Sequence, residues 1–106
     1  GGLWTMAHLD LPLLTVVHNN RSLYNSTAHR QTLAAHRGRD ASEDAALVGT
    51  GLVDPTPDYA AMAESMGVEG HGPVTDPDDL PAALEAAYET VRGGSPALVD
   101  VVCQAR

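Results

Sequence analysis

Residues Leu13–Tyr24 read LLTVVHNNRSLY. Leu13, Leu14, Thr15, Val16 and Val17 have strand-forming character and run straight into His18-Asn19-Asn20. A continuous apolar run that ends in turn chemistry predicts a buried strand of a parallel sheet, covered on both faces. Ligands of open α/β sheets bind outside the carboxyl ends of such strands. Two asparagines at that end would offer amide oxygens to a hard cation or a phosphate. Asn is also frequent in ordinary turns, so the pair taken alone is first of all a turn.

On the N-terminal side, Gly1–Leu9 reads as a helix. Leu3, Met6 and Ala7 share one face at helical spacing, with Trp4 at its margin. No capping side chain precedes Leu3, so the natural beginning of this helix is expected upstream. Asp10-Leu11-Pro12 ends it, because Pro12 disfavours helix at Leu11 and leads into the strand.

Beyond the asparagines, Asn25 or Ser26 is a candidate cap for a helix to about Arg37, with Gly38 as its stop. Its apolar stripe is weak. Gly38–Pro57 has little periodicity and predicts a long loop with a helical turn at Ser42–Leu47; loops of this length in compact domains are usually functional or mobile. Asp58 starts a helix over Tyr59–Met66, with Tyr59, Met62, Ala63 and Met66 as its stripe. Val68–Gly72 is a short strand.

Thr75-Asp76-Pro77-Asp78-Asp79 carries a capping oxygen, a first-turn proline and acids that suit a helix dipole. The regular helix is expected from Leu80, with Leu80, Ala83, Leu84, Ala87, Tyr88 and Val91 on one face. Gly93-Gly94-Ser95-Pro96 ends it, and Ala97–Val102 is another buried strand. Strands alternating with helices predict a parallel sheet with right-handed crossovers.

The length of 106 residues allows one domain with a modest core. Phe is absent, so Leu, Val, Ala and Met must fill it. There is no Lys and the net charge is −8, which argues against nucleic-acid backbones and anionic lipid as partners. The single cysteine, Cys103, excludes an internal disulfide and suits a reducing compartment. No signal peptide or membrane span is visible, so a cytoplasmic location is expected. Without a secretory signal, Asn20-Arg21-Ser22 and Asn25-Ser26-Thr27 read as chance matches to the glycosylation pattern.

Little else in the chain points to chemistry. His8, His18, His29, His36 and His71 are scattered, with no pair at i, i+4 on a helix, so a zinc site is not expected. Cys103 has no neighbouring base in sequence that would favour its thiolate. No Gly-rich phosphate loop, nucleophile elbow or HExxH motif is present.

The ensemble of residues nevertheless resembles a family. LWTMAHLDLPLLTVVHNNRSLY, residues 3–24, is similar to the diphosphate-binding region of thiamine-diphosphate enzymes such as acetolactate synthase, benzoylformate decarboxylase and pyruvate decarboxylase. The family pattern is Gly-Asp-Gly and, further on, Asn-Asn. A helix with Leu-x-Thr-x-x-x-x-x-Leu-Pro and an apolar strand lie between them. Leu3, Thr5, Leu11, Pro12 and Asn19-Asn20 match it. PDYAAMAESMGVEG resembles the family's next helix and strand, and DPDDLPAALEAAYETVRGGSPALVDVV its last. Similarity is loosest over Thr27–Thr56.

The resemblance implies a partial three-layer α/β/α parallel sheet lacking its first strands, with residues 1–106 the C-terminal part of a thiamine-diphosphate-binding domain. Gly-Asp-Gly is not in the chain, and the resemblance places it upstream, its Asp supplying one magnesium ligand. Asn20 would supply a second through its side-chain oxygen and Ser22 a third through its backbone carbonyl. Neutral oxygens suit magnesium, which takes few protein ligands and completes its octahedron with phosphate and water. Asn19 is expected to shape the turn rather than bind metal. Leu23 and Tyr24, with Asn25 and Ser26, would line the substrate side of the cofactor, so Asn19, Asn20, Ser22, Leu23 and Tyr24 are the candidate cofactor-binding residues.

The implied substrate is a 2-oxo acid, undergoing decarboxylation or carboligation, with the chemistry carried by the cofactor. The activating glutamate would come from a separate domain, usually on another subunit of a dimer or tetramer, so the fragment alone would be inactive. The rival reading is a non-catalytic α/β remnant that binds no cofactor or serves as an interaction surface.

Overall fold

The computed structural model describes residues 1–39, 42, 45 and 47–104. The helical turn expected at Ser42–Leu47 lies in part outside the described residues. In chain order the elements are α1 (Gly2–His8), β1 (Leu14–Asn19), α2 (Tyr24–His36), α3 (Tyr59–Ser65), β2 (Glu69–Val74), α4 (Leu80–Arg92) and β3 (Ala97–Val102). They form two compact units. The first comprises Gly1–Asn19 and Asp58–Cys103; the second is chiefly Asn20–Pro57.

The first unit is α/β, as expected. Its sheet is parallel, with strand order β1-β3-β2. β1 runs in register with β3 from Leu14 opposite Ala97 to Asn19 opposite Val102. β2 pairs from Glu69 opposite Ala97, slips after His71, and resumes at Val74 opposite Val101. Side chains of a strand alternate between faces, and β3 shows it. Ala97 and Val99 join Val74 and Ala87 under Leu80, Ala83, Leu84 and Val91 of α4. Leu98 joins Ala63 and Val68 on the other face, against Leu3, Met6 and Ala7 of α1, Val17 and Tyr59.

Several boundaries follow local chemistry. Asp58 caps α3 by accepting from the Ala61 N–H at 2.9 Å. Asp76 accepts from the Asp78 N–H at 2.9 Å and opens a 3-10 turn, Pro77–Asp79, so the regular helix begins at Leu80 as expected. In α4 the predicted stripe holds, except that Tyr88 is exposed. The position lies at the stripe's margin, where a phenol ring can stay in water.

The remaining expectations are corrected by tertiary context. β1 is not covered on both faces. It is an edge strand, and Leu14 and Val16 are exposed while Thr15 and Val17 are half-buried. A period-2 burial pattern has thus been imposed on a sequence with no period-2 alternation of its own. β1 also runs two residues further than predicted, so that Asn19 is its last residue. In α1, Trp4 does not extend the buried face. It is exposed and stacks on His8 at 4.7 Å between ring centroids.

In α3 the buried residues are Ala60 and Ala63, while Met62 is exposed. The reason is close approach. A Cβ on Gly70 of β2 would lie 2.3 Å from the Ala60 carbonyl oxygen, so the helix meets the strand through its smallest side chains.

The second unit contains α2 and a set of polar contacts to its start. α2 begins at Tyr24, before the predicted caps, with Leu23 as N-cap and no side-chain capping bond. Its end matches expectation, with Gly38 at φ 63°. Part of the predicted long loop folds back on the start of α2. The Leu23 N–H donates to the Thr50 carbonyl and the Leu52 N–H to the Arg21 carbonyl, both at 2.8 Å. Ser22 and Gly51 form an antiparallel bridge. The buried hydroxyls of Thr27 and Thr50 are 2.7 Å apart.

Candidate functional site

β1 ends at Asn19, and the chain then leaves the sheet. Asn19 itself belongs to the strand, as its last residue. Its carbonyl accepts from the Cys103 N–H at 2.8 Å, and its side-chain Nδ2 donates to Asp100 Oδ1 at 3.1 Å. Both side chains are buried.

The turn is made by the next residues. Asn20 Oδ1 accepts from the Ser22 N–H at 3.2 Å, the side-chain-to-backbone bond typical of Asx turns. Arg21, between them, takes φ 55°. This left-handed conformation is uncommon for a residue with a long side chain. It lets the backbone reverse so that the Asn20 amide folds back over Ser22. Ser22 Oγ is buried and has no hydrogen-bond partner among the described residues. Leu23 and Tyr24 follow as exposed residues at the start of α2.

The structure therefore brings Asn20 and Ser22 together within one turn. It sends the Asn19 side chain to Asp100 instead, and it leaves Leu23 and Tyr24 open to solvent. The donor set at the turn is neutral oxygen: the Asn20 amide, the Ser22 carbonyl and the orphaned Ser22 hydroxyl. That is chemistry suited to a hard divalent cation already carrying a phosphate, since neutral ligands leave its charge for the anion. Elsewhere among the described residues, no group of three or more His, Cys, Asp or Glu side chains could hold a metal.

Asp100 is the residue that sequence reasoning missed. Its signal was present as the one charge inside Ala97–Val102, a run otherwise apolar. An ionisable group in a strand buried on both faces is costly unless it has a partner.

A parallel α/β sheet with a polar turn following one of its strands defines a class of protein that binds ligands at strand ends. The match is to a particular member of that class. Residues 1–101 match the family of the thiamine pyrophosphate enzyme C-terminal TPP binding domain, and the chain belongs to that family. It is thus part of an enzyme that uses thiamine diphosphate, and its family role is to bind that cofactor. No solved structure matches the chain. No helix among the described residues is long and apolar enough to cross a membrane.

Proposed function

We propose that the chain supplies the diphosphate- and magnesium-binding side of a thiamine-diphosphate enzyme acting on a 2-oxo acid. The reaction is decarboxylation or carboligation, as in acetolactate synthase. The observation that carries this reading is the Asn20–Ser22 turn, with its neutral oxygens and the 3.2 Å bond that folds the amide over the backbone. Asn20 Oδ1 and the Ser22 carbonyl would hold magnesium. Leu23 and Tyr24, exposed just beyond, would border the substrate side. When bound, thiamine diphosphate supplies a nucleophilic carbon and an electron sink for cleaving the bond beside a carbonyl.

The remaining parts of the site belong to the rest of the enzyme. They include an acidic ligand from a Gly-Asp-Gly segment and an activating glutamate from another subunit of a homo-oligomer. With 14 acidic residues against 6 arginines, the net charge of the chain works against an anionic ligand, and a bound divalent cation would offset it.

The test is titration of the intact protein with thiamine diphosphate, with and without magnesium. Binding should require the metal, and Asn20→Ala should weaken metal and cofactor together. Chelation with EDTA should release the cofactor. Metal-independent binding, or an unchanged affinity in Asn20→Ala, would remove Asn20 from the metal site. Release of carbon dioxide from a panel of 2-oxo acids tests the substrate class separately.

A further inference from the structure

Asp100 lies in the central strand, fully buried, on the same face of β3 as Leu98. Around that face are Val17, Val68, Ala63 and the apolar residues of α1. An apolar side chain of similar volume would fit such a place at lower cost, since a buried charge loses its hydration. Nor is the carboxylate satisfied by its surroundings. Oδ1 accepts from Asn19 Nδ2 at 3.1 Å, and Oδ2 has no hydrogen-bond partner among the described residues. β2 closes the site from the other side. A Cβ on Gly72 would lie 3.3 Å from Asp100 Cβ and 2.6 Å from its carbonyl oxygen.

The bond to Asn19 falls where it matters for the turn. Asn19 is the last residue of β1, and its backbone is already tied to β3 through the Cys103 N–H. The side-chain bond to Asp100 adds a second tie. Asn20 is the next residue in the chain. Whatever fixes the Asn19 backbone fixes the point from which the Asn20–Ser22 turn departs.

We propose that Asp100 is a positioning residue. By holding the Asn19 side chain it sets the end of β1, and through it the Asn20 amide oxygen that faces the metal. The polar pair is retained in an apolar layer for the sake of the site, and the assignment rests on the proposed reading of Asn20 as a magnesium ligand. Asp100 would touch neither cofactor nor substrate.

The experiment is calorimetric titration of thiamine diphosphate into the intact protein at saturating magnesium, with thermal melting of the cofactor-free form alongside. The variants are Asn19→Ala, Asp100→Ala, their double, and Asp100→Asn. Loss of a partner that orients a metal ligand costs about 10- to 100-fold in affinity, and Asn19→Ala and Asp100→Ala should each fall in that range. The double variant should be no weaker than the worse single, because both remove one bond. Asp100→Asn keeps an oxygen for the Asn19 Nδ2 and should restore affinity to within about threefold, a small fraction of that loss. If Asp100→Ala does not fold, Asn19→Ala and Asp100→Asn still carry the test.

Cofactor affinity unchanged in Asn19→Ala, or losses that multiply in the double variant, would overturn the inference and leave the functional reading intact. So would lowered melting temperatures without any change in affinity. A protein with no cofactor affinity before substitution would overturn the functional reading, and this inference with it.

Discussion

Thr27 and Thr50 share one hydrogen bond between hydroxyls that water does not reach. Removing either hydroxyl breaks that buried bond. Thr27→Val should therefore destabilise by about 1–3 kcal/mol in urea unfolding, with the Thr27→Val/Thr50→Val double variant costing less than the sum of the singles. Additive losses would show that the two hydroxyls do not depend on each other. Arg21 poses a backbone question instead. At φ 55° a β-branched side chain is strained and glycine is not. Arg21→Val should be less stable than Arg21→Gly by about 1–2 kcal/mol, both having lost the guanidinium. Equal stability of the two would mean that the turn relaxes freely, contrary to its role as a fixed cradle. Legibility differed at this scale. Asn20 was singled out by its place after an apolar run, and Ser22 only by the family resemblance. Asp100 was passed over because a single acid in a strand has no periodicity to announce it.

The elements owe their boundaries to short-range chemistry and their orientation to fit. Asp58 is a cap whose oxygen meets the Ala61 N–H, and Asp58→Ala should cost about 1 kcal/mol in unfolding free energy. The contact of α3 with β2 is less forgiving. Gly70→Ala would push a methyl carbon to 2.3 Å from the Ala60 carbonyl oxygen, and backbone cannot turn aside as a side chain can. It should destabilise by at least about 1–3 kcal/mol, the usual range for overpacking. A melting temperature within error of the unsubstituted protein would mean that helix and strand can separate without loss. α4 was readable because its stripe is long and regular. α3 was misread at Met62 because Gly70, which draws the helix inward over its alanines, lies outside the helix's own sequence. The start of α2 was misplaced for a related reason. Backbone bonds from residues 50 and 52 settle it, and no cap in the local sequence does.

At the scale of the whole molecule, the sheet has β1 at one edge with Leu14 and Val16 facing outward. Unpaired strand edges and exposed apolar rows promote association, and a net charge of −8 opposes it only in part. The 106-residue chain by itself should self-associate in sedimentation at increasing concentration. Val16→Lys should reduce that association, because a charge on the exposed row makes edge pairing costly. Monomeric behaviour of the unsubstituted chain at every concentration would sink the prediction.

The sequence by itself determined the α/β class, the three strands, most helix limits and the asparagine turn. Each of these depends on spacing, capping or turn chemistry within a few residues. It could not determine that β1 is the strand at the edge, because an apolar run does not record which strands lie beside it. Only the tertiary structure decided that, by placing β3 between β1 and β2. It also decided the fate of Asn19. Residues 19 and 100 are far apart in the chain, and the bond between them exists because parallel pairing sets Asn19 opposite Val102, two residues beyond Asp100 on the same face.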